Sequence, residues 1–158
     1  MIRKKPVTKE AACLRMADLC ARAEHSSHEI REKLRRLGLF THDIDSIIEY
    51  LEQNRYIDNS RFAKAFARDK VRFSGWGKNK IRAALAMKRI SSSEIREAIE
   101  AIEEEDYNNA INRAAAAKAQ GLDLNDYAQK AKLFRHLASR GFESSVISKA
   151  INRLISNL

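Results

Sequence analysis

Apolar residues along this chain recur at the three-to-four spacing of a buried helix face, and no segment alternates with the period of two that marks a strand. From Thr8 to Ala23, the residues Ala12, Met16, Leu19 and Cys20 share one side of a helix. A second helix is predicted to open at Ser26. Glu29 follows three residues later, so the two side chains can satisfy each other's backbone donors, and Ile30, Leu34 and Leu37 then form the inward stripe. Gly38 ends it in a left-handed cap. Thr41 is expected to cap a third helix with Ile44, Ile47, Ile48 and Leu51 inward.

The pattern then repeats. A shift of 51 residues lays Ile30 on Ile81, Leu34 on Leu85, Leu39 on Ile90, Ile44 on Ile95, Ile48 on Ile99 and Leu51 on Ile102. A further shift of 52 continues the series with Leu133, Leu137, Phe142, Ile147, Ile151 and Leu154. The turns recur as well: Leu37-Gly38-Leu39 becomes Lys88-Arg89-Ile90 and Arg140-Gly141-Phe142, while Thr41 falls on Ser92 and Ser144. The register predicts an all-α protein of three tandem three-helix repeats stacked into an elongated, curved body. The expected units are 8–58, 59–105 and 106–158, after a basic tail at 1–7. Five glycines and one proline leave few places where helices must stop.

Charge changes the picture at one place. Between Arg61 and Arg89 there are ten Lys or Arg residues against the single acid Asp69, which matches the net charge of +9 for all 158 residues. The remaining chain holds twenty bases and twenty acids, so its basic character is one local feature. On a helix, Arg61, Lys64, Arg68 and Arg72 form one stripe and Phe62, Phe66 and Phe73 a second, anchoring one. After Ser74-Gly75-Trp76-Gly77, a further helix begins near Lys78 and carries Lys80, Arg82, Lys88 and Arg89 beside an Ile81/Leu85 core stripe. Two basic helices joined by a glycine-flanked tryptophan make a positive ridge suited to phosphate or to an acidic protein groove. Trp76 fits an interface anchor or base-stacking platform and fits equally a side chain packed between units. The acidic run Glu103-Glu104-Glu105-Asp106 reads as a solvated helix end.

Other chemistry is not suggested. His25, His28, His42 and His136 offer no metal spacing and read as surface or capping residues. No glycine-rich phosphate loop follows a strand, and no nucleophile stands in a recognisable constellation, so an enzyme, a cofactor and a metal are not expected. Cys13 and Cys20 are read as buried thiols of a reducing compartment. No run approaches the roughly 20 apolar residues of a membrane span, and the N-terminus lacks an apolar secretory segment, so a soluble cytoplasmic protein is expected.

Tyr56-Ile57-Asp58-Asn59-Ser60-Arg61-Phe62-Ala63 resembles the Tyr-Leu-Asp-Asp-x-Arg-Phe-Ala signature of the RecX family, bacterial regulators of the RecA recombinase. Arg22-Ala23-Glu24-His25-Ser26, with Glu29-Ile30 and Lys33-Leu34, is similar to that family's opening motif, and Gly77, Ile81 and Leu85 match its Gly-x-x-x-Ile-x-x-x-Leu element. Asn59 stands where the family often has Asp, and Arg55 and Arg89 where it often has Gly. The resemblance implies a non-enzymatic modulator that lies in the groove of the RecA–DNA filament and dampens ATP hydrolysis, strand exchange and co-protease activity. The ridge is then the expected contact surface, working as a monomer on RecA and on DNA within the filament. Its residues are Arg61, Lys64, Arg68, Arg72, Trp76, Lys78, Lys80, Arg82, Lys88 and Arg89. Tyr56, Asp58, Phe62 and Gly77 are assigned to folding, with Asp58 or Asn59 capping the helix that Phe62 anchors.

Two other classes remain open. A helix-turn-helix DNA-binding protein acting without RecA would place the second helix of a unit in the major groove. Those helices carry Asp43, Asp45, Glu49 and Glu52, then Glu94, Glu97, Glu100 and Glu103; only the third, with Lys149 and Arg153, suits that placement. A general helical adaptor is the other.

Overall fold

The computed structural model describes residues 5–157, so residues 1–4 of the expected basic tail lie outside the described residues. Among the described residues there are nine helices and no strand. They are α1 (Lys9–Arg22), α2 (Ser27–Arg36), α3 (Thr41–Gln53), α4 (Asn59–Ser74), α5 (Lys78–Met87), α6 (Ser92–Glu100), α7 (Glu104–Ala119), α8 (Tyr127–Ser139) and α9 (Ser144–Ser156). They form three three-helix units, α1–α3, α4–α6 and α7–α9, as the internal register predicts. Leu34, Leu85 and Leu137 are each fully buried, and so are Ile30, Ile81 and Leu133 one turn earlier. The accessible surface is 10302 Å² for 18.0 kDa, against about 8,000 Å² for a compact protein of that mass, which is the excess an elongated body carries.

The core is divided unequally. Ala12, Met16, Ile30, Leu34, Ile44, Ile47, Ile48, Leu51 and Ile57 close the first unit around its own centre. The second and third units share one continuous core that runs from Phe62 through Leu85 and Ile111 to Ile151. The joint between them is α4 packed on α7. Ala63 and Ala67 are fully buried on α4, and side chains this small let neighbouring helices approach closely.

Helix starts follow the expected chemistry at some positions and not at others. Ser26 and Glu29 form the full capping box, and Asp58 accepts the Arg61 amide at 3.0 Å. Thr41 is not a cap: α3 begins from Phe40, which offers no side-chain acceptor. The equivalent caps are Ser91, which accepts from the Glu94 amide, and Glu143, so each lies one residue before the aligned Thr41, Ser92 and Ser144. The apolar face of α4 is also displaced. Phe62 is buried, but Phe73 is 82% exposed, and the inward positions are Phe62, Ala63, Ala67 and Val71. A helical wheel treats the helix as endless; Phe73 sits one residue from the end of α4 and extends beyond the core. Cys13 and Cys20 are half-buried rather than buried.

Candidate functional site: a basic ridge around Trp76

The ridge is built from α4, the Gly75–Gly77 loop and α5. Gly75, with φ of 63°, turns the chain out of α4, and the loop brings Trp76 back against Phe66, ring centroids 6.2 Å apart and nearly perpendicular. The Lys70 and Lys80 ammonium groups each lie 4.5 Å from the Trp76 ring centre, and Lys88 lies 5.8 Å from that of Phe66. These are cation–π distances, and they gather three positive charges round one aromatic pair. Trp76 is half-buried and packs on the core shared by the second and third units. Its ring is therefore flanked by lysines of its own chain.

Gly77 is fixed by contact with the third unit. A methyl group there would come within 2.2 Å of the Gly141 carbonyl carbon and the Phe142 nitrogen. The close approach allows two backbone bonds across the units, Gly77 amide to Arg140 carbonyl at 2.8 Å and Asn79 amide to Gly141 carbonyl at 2.9 Å. The Arg140 guanidinium donates in return to the carbonyls of Ser74 and Gly75, at the negative end of α4. Beside this, the Tyr107 hydroxyl accepts the Lys78 amide at 3.0 Å and donates to Glu143. Burial, and next that bond to Glu143, push the Tyr107 hydroxyl well above the ordinary tyrosine range.

The structure separates the expected ridge residues by what their charges meet. Arg61 pairs with Glu24 and donates to the Arg55 and Tyr56 carbonyls; Lys88 pairs with Glu29 at 2.6 Å; Arg72 pairs with Asp106 at 2.7 Å. The first two bind the first unit to the second, together with Asn59, whose amide accepts the Ser27 amide and donates to the Ser27 hydroxyl, both at 2.9 Å. The third binds the second unit to the third. Arg68 meets only its neighbour Asp69, at 3.2 Å, and both side chains are half in solvent. Lys64, Lys70, Lys78, Lys80, Arg82 and Arg89 enter no ion pair among the described residues, although Arg82 donates to Asn79 at 2.8 Å and Lys78 lies 4.6 Å from the Tyr107 ring centre. Uncompensated cations thus cluster on α5 and on the outer side of α4, where a polyanion would release their counterions.

The assigned folding residues take such places: Asp58 caps α4, Phe62 is buried, and Tyr56 packs on the first core. Arg55 and Arg89 both adopt φ of 59°, the left-handed region that glycine enters freely. Sequence reasoning missed Arg140 and Tyr107, whose partners lie 66 and 36 residues away; the only signal was the alignment of the Arg140-Gly141 turn with the other two units. Among the described residues, no group of three or more His, Cys, Asp or Glu could hold a metal ion, and no helix is long and apolar enough to cross a membrane.

Comparison with known proteins places this architecture. A family model described as RecX, second three-helix domain, matches residues 58–99, and one described as RecX, third three-helix domain, matches residues 103–151. A regulatory protein RecX of Vibrio parahaemolyticus is 33% identical over 145 residues, covering 92% of this chain and 90% of that protein. One from Prosthecochloris aestuarii is 34% identical over 136 residues, covering 85% and 87%. The crystal structure of RecX from Lactobacillus salivarius is similar in fold, with a TM-score of 0.81 at 20% identity over 92% of this chain and 96% of that one.

Proposed function

The chain belongs to the RecX family of regulatory proteins, and on that premise we propose that it is a non-enzymatic regulator that binds the RecA–DNA filament and mainly inhibits RecA. The activities restrained are recombinase, ATPase and co-protease, in DNA repair and recombination. It acts in the cytoplasm as a monomer, without cofactor or metal and away from membranes, and is divided into a 1–7 tail and units 8–58, 59–105 and 106–158.

The observation that carries the reading is the set of unpaired cations around Trp76 on an elongated body. A filament groove offers phosphate and protein surface along its length, and an elongated partner can follow it. We assign the contacts to Lys64, Arg68, Lys78, Lys80, Arg82 and Arg89, with Lys70 and Trp76 at their centre. Arg61, Arg72 and Lys88 act one step back, holding the units at the angle the groove needs, since each meets a carboxylate of a neighbouring unit.

A helix-turn-helix protein reading bare duplex is disfavoured by the acids that α3 and α6 expose, among them Asp45, Glu49, Glu97 and Glu100, which would face phosphate in the major groove. The test is a binding comparison on bare DNA, on RecA–DNA filaments and on RecA without DNA. The proposal expects the filament to be bound most tightly. Equal affinity for bare DNA would replace it with the DNA-binding reading, and binding to none of the three would leave a general adaptor.

A further inference from the structure

Where α4 ends, an open cleft of about 430 Å³ lies between its last turn, α7 and α8. Its floor is aliphatic, made by Val71 of α4 and by Ala110, Ala114 and Ala117 on one face of α7. Its rim carries Arg72 of α4, Arg113 and Lys118 of α7, and Arg140 at the end of α8, with the His136 imidazole beside them. Among the described residues no carboxylate lines it. Arg72 is paired with Asp106 and Arg140 is engaged by the α4 carbonyls, but Arg113 and Lys118 enter no ion pair among the described residues. Burial, and then Lys118 and Arg140, lower the His136 pKa, so the positive charge of the rim rests on the arginines and Lys118. At the mouth stands Phe73, 82% exposed and unused by the core.

We infer that this cleft is a docking site for an acidic peptide segment carrying one aliphatic anchor residue. The floor selects the anchor. The Val71 and alanine methyls desolvate an aliphatic side chain and present a nucleobase no hydrogen-bonding group. The rim selects the flanks, because unpaired Arg113 and Lys118 reward carboxylates on either side of the anchor and repel basic segments. Phe73 closes over the anchor from the mouth. The cleft includes neither Trp76 nor any residue of α5 and does not depend on the RecA assignment, since its occupant is defined by the cleft alone.

The test uses the full chain and a fluorescein-labelled acidic peptide with a single leucine, followed by anisotropy. The same peptide with serine for leucine and a labelled oligothymidylate serve as comparisons. Binding of the leucine peptide is expected to weaken about tenfold or more when leucine becomes serine, the effect of one buried aliphatic side chain. A similar loss is expected for Arg113→Glu with Lys118→Glu, and for Ala117→Glu, which sets a carboxylate on the floor while leaving circular dichroism unchanged. The Ala110 and Ala114 methyl resonances should shift on titration. Equal binding of the serine peptide would overturn the inference by removing the anchor. Binding of oligothymidylate that is tighter than the peptide's and lost in the Arg113/Lys118 variant would overturn it in favour of a phosphate site.

Discussion

Gly77→Ala isolates one of the contacts that join the second and third units. The φ of Gly77 is −82°, which alanine adopts without strain, and by backbone entropy alone the change would stabilise the chain by about 0.4–1 kcal/mol. Space decides otherwise. The new methyl would lie 2.2 Å from backbone atoms of Gly141 and Phe142, which cannot rotate away as a flexible side chain could. Restoring ordinary contact requires the two backbones to separate by more than an ångström, and the bonds at 2.8 and 2.9 Å from Gly77 and Asn79 are lost. Two such bonds at roughly 1 kcal/mol each, with overpacking of roughly 1–3 kcal/mol, outweigh the entropic gain and leave about 3 kcal/mol of destabilisation. For a chain of this size that is a fall in melting temperature of about 6–12 °C.

Fluorescence of Trp76, the single tryptophan, reports the affected loop, and hydrogen exchange separates the two cores. Protection of Leu85 and Leu137 should fall while that of Ile44 and Leu51, in the first core, should not. Gly38→Ala is the contrast, because at φ of +82° a methyl there meets nothing within 4 Å and only the left-handed strain, about 1 kcal/mol, remains. A Gly77→Ala protein that melts within a degree or two of the wild type, or that loses protection equally in both cores, would refute the division of the fold argued above.

Arg55→Gly and Arg89→Gly should each raise stability by roughly 0.5–1 kcal/mol in urea unfolding, because both positions hold φ of 59°, and an unchanged midpoint would count against that strain. His136 is held below its ordinary 6.5, so between its folded value and 6.5 the unfolded chain binds more protons. Stability is therefore complete above 6.5 and declines as the pH falls below it, a slope that His136→Asn should flatten in urea midpoints. Burial, and then Glu24, push Cys20 up to about 11, so near pH 8 roughly one thiol in a thousand is ionised there; reaction with a disulfide reagent should be slow until denaturant is added, and fast native labelling would contradict it.

The local part of this structure was legible in the sequence because it is set by residues three or four apart. The Ser26–Glu29 box, the Asp58 cap and the equivalent leucines at 34, 85 and 137 are of that kind. What stayed hidden depends on pairs far apart in the chain. The partners of Arg61, Arg72 and Lys88 lie 37, 34 and 59 residues away, so a ridge that looked uniformly outward proved to include three residues that tie units together. Charge counting located the ridge but could not say which of its cations were compensated. The Gly77–Gly141 contact was equally hidden, since a glycine beside tryptophan reads as a flexible loop until its neighbour is known. Phe73 misled because hydrophobicity was assigned to a stripe without regard to where the helix stops.

The central claim is that uncompensated cations on α4 and α5 bind the RecA–DNA filament. Its most direct test is the salt dependence of filament binding for the wild type, for Lys64→Glu with Arg68→Glu, and for Lys149→Glu with Arg153→Glu. Lys64 and Arg68 are exposed and tie no units together, so helix content and melting should stay within about 0.5 kcal/mol of the wild type. The account predicts that the first pair abolishes most binding and flattens the log–log salt slope by more than one unit, at roughly 0.7–0.9 per phosphate contact. The third-unit pair should leave both nearly intact. Binding that survives the first pair and disappears with the second would place the contact on α9 and contradict the account.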